Sequence, residues 1–294
     1  MKRKLIFLLF CSGMLMNLSA QRIEVQEPRL MKEAGTEAYY PKFTPDGKTI
    51  LLTSANYAGL KTFNLETKKV KQLTPEHGAG WNSVISDDSK TVCFQKIDYS
   101  SDIHGLTSFH ICDLETQQIQ QISPPEHEVM PTKTLTLMKS KAAIKSQVVA
   151  YTNEDLKLVV ETNGKKTVLT PNGADESYIW AQLSPDKTKI VYHALYMTET
   201  FICDLSGKIV SKLGRVHAPQ WLNNNWIVGM NDLDDGHNVL NSNIVAATAN
   251  GKIKQNLTHP NGKIAMYPAV SPAGDKIAFN TIDGELYIMD VIIK

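Results

Sequence analysis

Tyr40-Pro41-Lys42-Phe43-Thr44-Pro45-Asp46-Gly47-Lys48-Thr49-Ile50-Leu51-Leu52-Thr53-Ser54 reads as one β-hairpin. An apolar strand ends at Phe43, Thr44 to Gly47 has the second-place proline and fourth-place glycine of a type I turn, and Ile50 to Thr53 resumes as a strand. The phrase recurs. Ser184-Pro185-Asp186-Lys187 precedes Lys189 to Tyr192, Ser271-Pro272-Ala273-Gly274 precedes Lys276 to Phe279, and Ile85 to Lys90 precedes Thr91 to Phe94.

Each hairpin is followed by two more short strands. Leu60 to Thr67 with Val70 to Thr74, Phe109 to Thr116 with Ile119 to Ser123, and Phe201 to Leu205 with Ile209 to Leu213 repeat the plan. Pro45 and Pro272 lie five steps of about 45 residues apart, the period of four-stranded propeller blades. The expected fold is therefore all-β: a six-bladed β-propeller of four-stranded antiparallel blades over residues 21–294. The final unit runs out of chain after three strands, near Tyr267 to Ser271, Lys276 to Thr281 and Leu286 to Ile293. A strand within Arg22 to Met31 is expected to close that last blade and remove its open edge. The third unit, near Met130 to Tyr151, lacks the turn phrase, and the fifth uses Asn223-Asn224-Asn225, a turn residue that tolerates left-handed backbone.

Composition is that of a globular chain: 294 residues, 42% hydrophobic and 21% charged, with a net charge of +1. Without a basic block there is no electrostatic footprint for nucleic acid or an anionic bilayer. Met1 to Ala20, with Lys2-Arg3-Lys4, an apolar run from Leu5 and a Leu-Ser-Ala end, reads as a signal peptide cleaved after Ala20. A periplasmic or secreted protein without a transmembrane segment is expected. Cys93, Cys112 and Cys203 read as small buried strand residues, a Cys93–Cys112 disulfide being the alternative on adjacent strands.

The Phe-Thr-Pro-Asp-Gly-Lys, Leu-Ser-Pro-Asp-Lys and Val-Ser-Pro-Ala-Gly-Asp phrases resemble the propeller repeats of the TolB C-terminal domain, found also in dipeptidyl peptidase IV relatives and oligogalacturonate lyases. The resemblance covers Arg22 to the C-terminus and implies a propeller; it does not imply one activity. There is no room for the N-terminal α/β domain of TolB, and the Gly-x-Ser-x-Gly elbow of the peptidases is absent from the sequence.

If each blade's first strand is innermost, the blade-to-blade connections and the loops between second and third strands share one face. Asp46 and Asp186 then belong to turns on the other. On the first face, His77, His127, His217 and His259 could together hold a divalent transition metal, as the resemblance to oligogalacturonate lyases also suggests. Asp232, Asp234 and Asp235, before His237, form an acidic loop suited to Ca²⁺ but out of register with the usual calcium loop. Tyr57, Tyr99 and Tyr196 recur eleven or twelve residues after their turns and, with His237, are candidates to stack on a ligand or cap the gaps between blades. No catalytic set is evident. The expectation is an exported, non-enzymatic module that binds a protein, peptide or glycan of the cell envelope. The alternative is a metal-dependent carbohydrate-active enzyme.

Overall fold

A computed structural model describes residues 22–127, 137–138, 148–259 and 263–294. The chain is a six-bladed β-propeller with antiparallel blades. The first blade is β3 (Tyr39–Phe43), β4 (Thr49–Thr53), β5 (Leu60–Asn64) and β6 (Val70–Thr74), hydrogen-bonded in chain order. The second runs β7 (Val84–Ile85), β8 (Thr91–Asp98), β9 (Leu106–Asp113) and β10 (Ile119–Gln121). Three described strands make the third: β11 (Val148–Thr152), β12 (Leu158–Thr162) and β13 (Lys165–Leu169). Most of the segment expected to open that blade, from Met130 onward, lies outside the described residues.

The fourth blade is β14 (Tyr178–Leu183), β15 (Lys189–Ala194), β16 (Glu199–Asp204) and β17 (Ile209–Gly214); the fifth is β18 (His217–Asn223), β19 (Trp226–Asp234), β20 (Val239–Thr248) and β21 (Lys254–Asn256). The sixth holds β22 (Ala265–Val270), β23 (Lys276–Thr281) and β24 (Leu286–Ile293). Its outer place is taken from the other end of the chain. β1 (Ile23–Val25) pairs with β24 from Val291 to Ile293, and β2 (Arg29–Leu30) pairs with it at Tyr287 and Ile288. Among the described residues no helix is long and apolar enough to cross a membrane.

The turns are built as their sequence requires. The Gly47 amide donates to the Thr44 carbonyl at 2.8 Å, closing the type I turn, and the Thr44 hydroxyl donates to Asp46 Oδ1 at 2.6 Å. Ser86 with Asp88 and Ser184 with Asp186 repeat that bond, each at 2.6 Å. Asp46 and Asp186 are thus consumed by turn chemistry. Adjacent turns are also tied together: the Asp46 amide donates to Ser89 Oγ of the next blade, and that of Asp186 to Asn224 Oδ1. The fifth-blade asparagine turn needs no left-handed residue, contrary to expectation. Asn223 Oδ1 instead accepts the amides of Asn225 and Trp226, so the side chain organises the bend.

The core lies between blades, where apolar residues of neighbouring sheets meet. Trp226, Val228, Ile244, Ile277 and Met289 bury one such interface, and Ile50, Phe63, Ala278 and Ile288 another. The three described cysteines are buried and free. Cys93 lies opposite Ile111 while Cys112 lies opposite Val92, so the two side chains leave opposite faces of their sheet and no disulfide joins them.

Candidate functional site

In four blades the first strand begins with a break in its ladder. Tyr40, Asn82, Trp180, Ala218 and Tyr267 occupy equivalent places at or just before that strand and have φ between 44° and 54°. In blades 1, 4, 5 and 6 the pairing slips at the same point, between Tyr39 and Lys42, Ile179 and Gln182, His217 and Gln220, and Met266 and Ala269. Each is a β-bulge, which strengthens the twist and re-aims the side chain. Proline follows at positions 41, 219 and 268, where the ladder has no use for an amide donor. Left-handed backbone at non-glycine residues carries a conformational cost. Three of the five are aromatic.

These aromatics gather at the channel mouth. Tyr40 stacks on Tyr57 with ring centres 4.3 Å apart and touches Tyr267 at 4.6 Å, while Tyr57 meets the edge of Trp81 at 4.9 Å. Burial first, then a hydrogen bond with Tyr40, pushes the Tyr57 phenol far above its ordinary range. Burial, with Tyr40 next, raises that of Tyr267 to about 12. Trp180, from the fourth blade, closes the far wall of a cavity of about 270 Å³ lined also by Tyr40, Lys42, Tyr57 and Trp81.

A histidine pair lies beside it. His193 and His217 meet edge to face at 4.6 Å, and Trp180 packs against both. His193 Nδ1 lies 3.1 Å from Thr200 Oγ1, whose own proton goes to the Val216 carbonyl at 2.7 Å, so the imidazole is the donor. Burial, reinforced by His217, lowers the His193 pKa to about 4 and keeps the ring neutral. His217 Nδ1 sits 2.7 Å from Asp232 Oδ1, and its Nε2 is buried without a partner among the described residues. Burial opposes ionisation of Asp232, but the His217 hydrogen bond, the attraction of that ring and Arg215 outweigh it and lower the pKa.

That balance has a testable sign. A depressed carboxylate pKa stabilises the fold above its unfolded value, near 4, and the contribution is lost as pH falls through the folded value. Asp232→Asn should cost about 2 kcal/mol at pH 7, the scale of a hydrogen bond to a charged group. Melting should fall by about 4 °C. As pH falls towards and through that lowered folded value the variant and parent melting temperatures should draw together; an unchanged gap would show that charge has no part in it.

The sequence-predicted residues divide. Tyr57 belongs to the cluster. Tyr99 is exposed and packs beside His77, with ring centres 6.0 Å apart, and Tyr196 is 76% exposed on the fourth-blade loop. His127 is 4.0 Å from Asp102, and His259 lines a separate cleft with Val25 and Pro28. The four histidines do not converge, and among the described residues no three His, Cys, Asp or Glu side chains are grouped to hold a metal ion. In the acidic loop Asp232 turns inward to His217, Asp234 accepts the Gly236 amide, and Asp235 accepts those of His237 and Asn238. Those carboxylates hold the hairpin's shape, and His237 stands exposed at its tip. Tyr40, Trp81, Trp180, His193 and Tyr267 were missed from sequence, although three of them stand five residues before a Pro-Asp or Pro-Ala turn.

No protein-family model matches the sequence, and no curated protein sequence does either. Among solved structures, oligogalacturonate lyase from Vibrio parahaemolyticus aligns at 14% identity over 85% of this chain and 76% of its own, with a TM-score of 0.49. TolB from Acinetobacter baumannii aligns at 18% identity and TM-score 0.53 over 78% of this chain; the match spans 56% of that TolB chain. The Cps50 (Swd1) β-propeller domain of Myceliophteria thermophila aligns at 11% identity and TM-score 0.55, covering 92% of this chain and 100% of that one. At such identities the likeness is one of fold. With its Pro-Asp-Gly turns and six blades closed by an N-terminal strand, this chain is in fold a TolB-like β-propeller.

Proposed function

We propose that the protein is an exported, non-enzymatic binding module that takes a polypeptide partner at the channel mouth. The observation that carries this reading is the aromatic wall of Tyr40, Tyr57 and Trp81 facing Trp180 across one cavity. Flat rings already held against one another lose little side-chain entropy on binding, and tyrosine and tryptophan are the usual anchors of protein contacts. The surrounding surface supports it. Ile103, Leu156, Tyr196, Met197 and Ile282 are exposed on loops between second and third strands, and Leu233 near the end of β19, around the same mouth.

The test is selection of free peptides from a random display library on the mature protein, followed by titration of the best binder. Tyr57→Ala with Trp81→Ala should weaken it at least about 10-fold, the scale of losing one anchor. Replacing Val168 on the outer strand β13 should leave affinity unchanged. Selection of no peptide, or loss through Val168 and not the rings, overturns the reading. Export is checked separately by mass spectrometry, which should find the mature chain beginning at Gln21.

A further inference from the structure

Lys42 stands three residues before Pro45 on the innermost strand of the first blade and lines the cavity just described. Its side chain is open to water where it lines the cavity, with protein packed around that opening. Its one hydrogen bond among the described residues is to the Ser83 carbonyl of the next blade, at 2.5 Å. An ammonium has three donors. No carboxylate among the described residues pairs with it, and burial alone brings its pKa down to about 8. Other lysines also strap to backbone carbonyls, Lys61 to Ala34 and Lys71 to Leu114 and Glu115, but at the outside of the ring. Lys42 is the lysine placed among the rings.

We propose that Lys42 receives a carboxylate of the bound polypeptide, from its C-terminus or from an Asp or Glu side chain, while the aromatic wall packs the adjoining residue. This rests on the polypeptide-binding reading above. The chemistry is that of an unpaired cation in a partly desolvated cavity, where a charge-assisted hydrogen bond is worth more than in water. The neighbouring surface restricts what can bring that carboxylate in. Asp98 and Asp234 at strand ends, and Glu154, Asp155, Asp235 and Asp283 on the loops beyond, are exposed around the mouth. A chain carrying a negative charge on every unit would be repelled by that rim, whereas a polypeptide with one acidic group and neutral or basic residues beside it would pass. The rim therefore favours a peptide over a polyuronate.

The experiment titrates the display-selected peptide in three forms: free acid, C-terminal amide, and a form with its Asp and Glu changed to Asn and Gln. Each is measured against the parent protein, Lys42→Met and Tyr57→Ala, with oligogalacturonate of similar length alongside. One neutralised form should bind the parent about 10-fold more weakly, and Lys42→Met should bind the unmodified peptide equally weakly while no longer distinguishing the forms. Lys42→Met should melt no lower than the parent, since an ammonium held without a counter-charge does not support the fold. If Tyr57→Ala weakens binding but neither neutralisation nor Lys42→Met does, this inference fails and the polypeptide reading stands. A lowered melting temperature for Lys42→Met makes the lysine a structural strap and also overturns it. Oligogalacturonate binding with no peptide binding overturns both.

Discussion

Deleting residues 22–30 should lower the melting temperature by about 10 °C and cause the protein to aggregate. The segment contributes little helix or loop of its own; its effect is to fill the last place in the sixth blade. Ile23 is buried against the core that holds Met289 and Val291, and the Arg22 and Lys294 backbones bond reciprocally, at 3.1 and 2.9 Å. Arg29 pairs with Asp290 at 2.7 Å, and Gln255 of the fifth blade exchanges hydrogen bonds with the Ile23 backbone. Burial of an aliphatic side chain stabilises by about 1.5–3 kcal/mol, and each ladder hydrogen bond by about 1. Removing the strand should thus cost about 5 kcal/mol. At about 2 °C per kcal/mol for a chain of this size, that gives the expected shift. The exposed β24 edge explains the aggregation. A calorimetric shift below 3 °C would mean that the ring closes without this strand.

Gly229→Ala should cost about 3 kcal/mol and disturb the channel mouth at the same time. Gly229 lies on β19 with ordinary strand backbone, so the reason for glycine is space alone. A Cβ there would come within 2.5 Å of Val216 Cγ1 and 2.7 Å of the His217 carbonyl oxygen. The first contact can be relieved by a rotamer change; the second is backbone and must be displaced. Overpacking of this kind costs about 1–3 kcal/mol, with the upper end apt where backbone moves. Melting should fall by about 6 °C. Because the displaced residue is His217, its hydrogen bond to Asp232 should lengthen, and Asp232→Asn should then cost less in the Gly229→Ala background than in the parent. Strict additivity of the two changes would refute this coupling.

Most of the architecture could be read because it rests on local chemistry. A Thr-Pro-Asp-Gly turn is specified by its own four residues, and its repetition locates the blades without knowledge of their contacts. The closing strand followed from a missing partner and from the avoidance of open edges. The site did not share that legibility. Tyr40 and Trp180 look like ordinary strand residues; only the bulge, a slip between two strands, turns them to the channel. His217 and Asp232 were assigned to two different metal sites, whereas they pair with each other because β18 and β19 are adjacent. Lys42 stands in the opening phrase itself, yet its isolation depends on Ser83 from a neighbouring blade.

The borrowed strand also has a kinetic consequence. Ile23 bonds to Gln255, 232 residues away, and to β24 beyond it, so this segment obtains its partners only after the five intervening blades have been made. Contacts of such sequence separation slow folding, because the loop entropy is lost before the contact forms. Ring closure is accordingly a late event in folding. Until then the nascent chain is an open arc whose sixth blade lacks its outer strand.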